Sequence, residues 1–168
     1  RGNTLFGRDK DGNVFFYCKG DALSSYNTVE GKQDGLRDIN LVSKGYRHLV
    51  CLDDFGNVWT AGCTEFGHLG REVSWTPGFG LVPSIINIID ITCSQHSTLC
   101  LNPDGIVYGF GVNVDGELGL GHNSTISLPI PLPLKNITSI SGGTNHFLVL
   151  DTNGDVFTAG SNTYSQMG

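Results

Sequence analysis

The chain has 168 residues, 39% of them hydrophobic, enough to bury a core, and a net charge of −6. Its ten Lys and Arg stand against 16 Asp and Glu, which argues against direct, sequence-independent DNA binding, because that affinity comes from cations neutralising phosphates. The longest apolar stretch, Leu81 to Ile91, is broken by Pro83, Ser84, Asn87 and Asp90, short of the roughly 20 apolar residues of a membrane span, and no signal peptide or basic targeting run is visible.

From the N-terminus, the first pattern runs from Thr4 to Cys18, with Asp11-Gly12 between two short apolar arms. A fuller form begins at His48, and it returns at Ser97 and again at His146, an offset of 49 residues both times. In step are Gly56, Gly105 and Gly154; Val58, Val107 and Val156; Trp59, Tyr108 and Phe157; Gly62, Gly111 and Gly160; Leu69, Leu118 and Met167; Gly70, Gly119 and Gly168. Repeats of roughly 20 to 50 residues indicate solenoids, propellers or arrays. The copies fall at about 4–38, 39–87, 88–136 and 137–168, all within one domain spanning 1–168.

Within a copy, short runs rich in Val, Ile, Phe and Thr alternate with Gly, Asn and Asp, which predicts strands joined by tight turns; no helical period survives. Asn153-Gly154, matched by Asp104-Gly105, Phe55-Gly56 and Asp11-Gly12, marks a hairpin turn. The first arm, Phe147 to Leu150, is continuously apolar, which suits a strand covered on both faces by stacked sheets. The Pro-rich link from Leu128 to Leu134 reads as an outer strand or a crossing. About four strands per repeat is blade-sized, so the fold class is all-β, an incomplete propeller of three to four four-stranded blades.

Most chemistry-bearing residues dissolve into repeat columns. Cys51 and Cys100 share a column with Val149 and Gly7, a strand-core position where cysteine serves as a small hydrophobe. No metal-ligand spacing of Cys or His occurs, so no metal and no cofactor is expected. His48 and His146 align with Ser97 and Thr4, and the imidazole is expected to pin its turn through backbone hydrogen bonds rather than act in a catalytic triad. Asp9-Lys-Asp11-Gly12 fails as a calcium loop because Gly7 and Cys18 fall where carboxylates belong. Gly109 and Gly111 lack the third glycine of a nucleotide-binding fingerprint. Asn123 and Asn136 head formal glycosylation triplets and read as chance.

What varies between copies is what a repeat scaffold offers a partner. Two sets qualify: Tyr46, Arg47, Gln95, His96, Thr144 and Asn145 before the His column, and Glu65, Phe66, Val114, Asp115, Thr163 and Tyr164 after the second conserved Gly. Charge is uneven too. Residues 1–84 hold nine Lys and Arg against ten acids, whereas residues 85–168 hold Lys135 alone against six, a surface that could attract a basic peptide.

The pattern Gly-x-x-His-x-x-x-Leu-x-x-x-Gly-x-Val-aromatic-x-x-Gly-x-Asn-x-x-Gly-x-Leu-Gly, covering Gly45 to Gly70, Ser94 to Gly119 and Gly143 to Gly168, resembles the repeat of the regulator of chromosome condensation family, whose members form seven-bladed β-propellers. Ser94 and Ser97 depart from it, and the first copy has Cys18 for a Gly and no Gly-x-Leu-Gly. Kelch propellers share a similar period, but their paired glycine occurs once, at Gly142-Gly143. The resemblance implies a non-catalytic protein-interaction scaffold within a larger signalling regulator. Its expected partners are small GTPases or a basic chromatin partner such as a histone tail. The alternative it implies is a guanine-nucleotide exchange factor for a Ran-like or other small GTPase, although the inserted hairpin wedge of that activity has no counterpart between these copies. A plug for an enzyme's active site is a third possibility.

An odd number of cysteines, five, fits a reducing compartment, hence an intracellular, cytoplasmic or nuclear protein. A chain that opens mid-repeat at Arg1 reads as a segment of a longer one. At 49 residues per copy, 168 residues give about 3.4 copies, so a ring of seven would need a second chain or further sequence. Unfinished blade edges therefore predict a homodimer.

Overall fold

The computed structural model describes residues 3–19, 31–72 and 78–168, which form four antiparallel sheets, each an up-and-down meander. Blade one holds β1 (Asn3–Arg8), β2 (Asn13–Lys19) and β3 (Gly31–Arg37). Blade two holds β4 (Ile39–Lys44), β5 (His48–Asp53), β6 (Val58–Gly62) and β7 (Gly80–Leu81). Blade three holds β8 (Asp90–Cys93), β9 (Ser97–Leu101), β10 (Val107–Gly111) and β11 (Ile126–Pro131). Blade four holds β12 (Ile137–Gly142), β13 (His146–Asp151) and β14 (Val156–Gly160).

The arrangement is an all-β, open arc of propeller blades whose sheets do not close into a ring. Two blades carry the expected four strands; blades one and four show three among the described residues. Among those residues no helix is long and apolar enough to cross a membrane.

The 49-residue interval is reproduced in hydrogen-bond register. His48 pairs with Gly62, Ser97 with Gly111 and His146 with Gly160 at one end of the central hairpin; Leu52 pairs with Val58, Leu101 with Val107 and Leu150 with Val156 at the other. The Pro-rich link supplies β11, paired to β10 on the sheet edge, where proline's missing N–H costs no ladder bond.

Alternation puts the second strand of each inner blade, β5 and β9, into two cores at once. Leu49 and Cys51 of β5 pack with Val14, Phe16 and Leu36 of blade one. Val50 and Leu52 of the same strand turn the other way, onto Ile91, Cys93 and Cys100 of blade three. Leu99 and Leu101 then meet Ile137, Ile140, Phe147 and Val149 of blade four. An unbroken apolar run is what a strand between two neighbours requires, and all six residues of β5 are buried. Cys51, Cys93 and Cys100 are buried free thiols; burial pushes Cys93 up to about 11 and also raises the other two well above the ordinary thiol value, as expected of core positions.

Each central hairpin closes on one acidic or amide side chain. Oδ1 of Asp53 accepts from Phe55 N and Asn57 N, both at 2.9 Å, and Oδ2 accepts from Asn57 Nδ2 at 2.9 Å and Trp59 Nε1 at 3.0 Å. Asp9, Asn102 and Asp151 repeat the pattern toward their own turns. The Asp9 stretch that fails as a calcium loop is thus a side-chain-capped turn.

Candidate interaction rim

Strands place the two kinds of turn at opposite ends of a blade. The six residues of β5, at roughly 3.3 Å each, separate the turn holding Tyr46 and Arg47 from the turn capped by Asp53. The first of these ends carries both variable sets.

In the turns before β5, β9 and β13, the backbone makes two different connections. Tyr46 N donates to Gln95 O at 2.8 Å and Gln95 N donates to Thr144 O at 2.6 Å, so one backbone hydrogen bond joins blade two to blade three and another joins blade three to blade four. The next residues face their own blade: Arg47, His96 and Asn145 accept through their carbonyls from Cys63, Val112 and Ser161 N at 2.8, 3.1 and 2.8 Å. Those donors open the loops that carry the second set, which brings it to the same rim.

At the junction of blades two and three the side chains of the two sets meet. The His96 ring lies edge-on to Tyr46 at 5.9 Å and nearly parallel to His68 at 5.2 Å. His68 stacks on His48 at 5.4 Å, with planes 1° apart, and takes Phe66 edge-on at 6.0 Å. Arg47 Cζ sits 5.8 Å from the Tyr46 centroid, within cation–π range. Tyr46 is 49% exposed and Phe66 62%, while His48 and His68 are buried beneath them. Phe66 holds a φ of 57°, uncommon for a bulky residue.

The remaining candidates stand apart from this cluster. Val114 and Asp115 are exposed on the blade-three loop, where Asp115 N donates to Glu117 Oε2 at 3.0 Å. Thr163 and Tyr164 are exposed on the blade-four loop; Thr163 Oγ1 lies 3.0 Å from Ser161 Oγ, and Tyr164 N donates to Gln166 Oε1 at 2.8 Å.

His48 departs from the expected role. The turn is closed by backbone, Gly45 N donating to His48 O at 3.0 Å, while the imidazole reaches into the next blade, with Nε2 3.1 Å from Thr98 Oγ1. Ser97, in the same column, donates its hydroxyl to Val112 O and its N–H to Ser94 Oγ. His68 was in neither variable set. Its signal lay in the column it shares with Glu117 and Gln166, whose significance needs the fold.

Burial pushes His48 down to about 3 and His68 to about 4; His96 is also lowered, by burial and then by Arg47. The stack is therefore neutral at ordinary pH. Among the described residues no group of three or more His, Cys, Asp or Glu is arranged to hold a metal ion. The opposite end carries exposed Asp11, Asp54, Asp104 and Asp155, and on blade one Arg8, Lys10 and Arg37 are exposed as well; Arg8 pairs with Asp54 at 3.0 Å.

The sequence pattern described as regulator of chromosome condensation (RCC1) repeat matches residues 104–150, and a second RCC1 repeat pattern matches residues 137–166. The chain belongs to the RCC1 repeat family.

It is 29% identical over 141 residues to the regulator of chromosome condensation of Mus musculus, covering 79% of this chain and 33% of that one. Human WBSCR16, whose crystal structure is known, superposes with a TM-score of 0.68 at 26% identity, over 75% of this chain and 34% of that one. Prp20p from Saccharomyces cerevisiae, whose crystal structure was described with its binding properties to Gsp1p and histones, has a TM-score of 0.76 at 20% identity, over 94% and 41%. The chain spans about a third of the length of the curated relatives it matches. Among its RCC1 repeats, the junction of blades two and three combines His48, His68 and His96, where the equivalent columns one blade on hold Ser97, Glu117 and Asn145.

Proposed function

We propose that this chain is a non-catalytic protein-interaction scaffold whose partner seats on the rim around Tyr46, Arg47, Phe66 and His96. The observation that carries this reading is the backbone relay from Tyr46 through Gln95 to Thr144. It locks three turns into one ledge while leaving their side chains free to differ from blade to blade. Exposed aromatic rings held on a rigid support make effective anchors.

The partner proposed is a Lys/Arg-rich segment such as a histone tail, or a small GTPase. Exposed Glu65 and Asp115 stand on the rim loops, and the chain's net charge of −6 favours encounter with a cation. Prp20p, which shares this fold, is described as binding Gsp1p and histones, which lends weight to both partners.

The test is titration of a histone-tail peptide and of a Ran-like GTPase into the folded chain. Tyr46→Ala and Phe66→Ala are each expected to weaken binding about tenfold, a loss of roughly 1.4 kcal/mol, and peptide binding should weaken with salt. Binding that ignores both substitutions would overturn the rim as the contact surface. Release of fluorescent nucleotide from the GTPase is expected to be unchanged by the chain; acceleration would favour exchange activity instead.

A further inference from the structure

The imidazole stack is a cluster of titratable groups of which the interaction reading uses only His96. His48 and His68 belong to blade two and His96 to the turn of blade three, so the stack bridges the junction that Tyr46 N and Gln95 O also close. His48 Nδ1, both ring nitrogens of His68 and His96 Nδ1 are buried without a hydrogen-bond partner. A neutral ring can leave a nitrogen unbonded at modest cost, whereas an imidazolium is a charged donor at both nitrogens and needs acceptors.

The surroundings offer little to a cation. Arg47 faces the stack from the turn after β4 and adds positive charge. Tyr46 and Phe66 meet His96 and His68 in T-shaped ring contacts at 5.9 and 6.0 Å, which supply no hydrogen-bond acceptor oxygen. From blade three, Thr98 Oγ1 meets His48 but is shared with the Cys93 thiol at 3.7 Å. Glu65, on the short turn next to His68, is directed to Cys63 Sγ at 3.8 Å. Among the described residues no carboxylate hydrogen-bonds or ion-pairs with any of the three rings.

We propose that the junction of blades two and three is an acid-released latch, closed while the His48–His68–His96 stack is neutral and opened, together with the rim it supports, when the stack takes up protons. The direction follows from linkage. The closed junction holds His48 at about 3 and His68 at about 4, against an ordinary 6.5, so between those values the open form binds more protons and acid favours it. For His68 alone the opening equilibrium should shift roughly twentyfold between about pH 7 and pH 5.

Amide exchange, normalised to intrinsic rates and followed by NMR, reads the latch at the Tyr46 N–H, with the Asn102 N–H of the blade-three hairpin as reference. Protection at Tyr46 is expected to fall at least about tenfold from neutral pH to pH 5 while Asn102 holds. The variant His48→Ser, His68→Gln, His96→Asn takes each replacement from an equivalent column of this chain and should keep its protection. If that variant does not fold, His68→Gln alone should lessen the fall by about an order of magnitude. Unchanged Tyr46 protection in the natural chain, or an equal fall in a folded variant, would overturn the proposal.

Discussion

Asp53 shows how one carboxylate sets a blade. Burial pushes its pKa up, but the Trp59, Asn57 and Phe55 donors outweigh that and hold it below the usual carboxylate range. Asp53→Ala would leave those donors without their acceptor, and a loss of roughly 3 kcal/mol is expected by urea denaturation. Asp53→Asn should cost less, because Asn102 already fills the same role with Oδ1 accepting from Asp104 N and Ile106 N at 3.1 and 2.9 Å. The Asp53 contribution is present above the unfolded carboxylate pKa and is lost as pH falls through the folded one, opposite in origin to the burial penalty of His48 but equal in sign. The Asp-x-x-Gly spacing at Asp9, Asp53 and Asp151 is plain in the sequence. Its purpose was not, because most of its donors are backbone N–H groups, which every residue type carries. The His48 ring was misplaced for a related reason: its partner, Thr98, is 50 residues away.

Hairpin turns are also contacts between blades. Gly12, Gly56 and Gly105 accept through their carbonyls from Asp38, Ile88 and Ile137 N at 3.2, 3.0 and 3.1 Å, so the end of one sheet receives the entry to the next. Gly105 has a φ of 75°, and a Cβ there would lie 2.9 Å from the Asn136 backbone; Gly154 has a φ of 89° but open space around it. Both substitutions to Ala meet an unfavourable backbone, worth about 1–2 kcal/mol. Gly105→Ala must also displace a neighbouring chain, so its loss on urea unfolding is expected to exceed that of Gly154→Ala by about 1 kcal/mol or more. Hairpins and turn positions were readable from hydrophobic runs and Gly-containing pairs, and the prolines marked the link that supplies β11 as an outer strand or a crossing. That the two variable sets share one rim was not readable, since separation along the chain says nothing about which end of a strand a loop returns to.

The terminal blades differ from the inner ones in what covers them. Val58 and Val107 are 0% exposed, whereas Val156 in the same column is 59% exposed. Leu150, its partner across the hairpin, is exposed too, as are Phe15 and Tyr17 on blade one. Apolar faces of this kind favour pairing with another sheet, and association with a second copy is the expected outcome for the chain in isolation. Sedimentation velocity at rising concentration checks it: a growing weight-average mass is expected, and a constant monomer mass would count against the pairing. The uneven charge between the two halves was legible early, but which faces lie uncovered depends on packing partners that only the stacked blades reveal.

The relay from Tyr46 to Gln95 to Thr144 imposes a tolerance on change. Each turn donates one N–H or offers one carbonyl to its neighbour, and that exchange ignores side chains while demanding fixed chain length. Substitution at the rim therefore leaves the relay's own hydrogen bonds in place, whereas inserting or deleting a single residue there would put two neighbouring turns out of step. The constant 49-residue spacing beside freely changing rim residues is what such a rule would leave behind: a surface that can be rewritten letter by letter but not respaced.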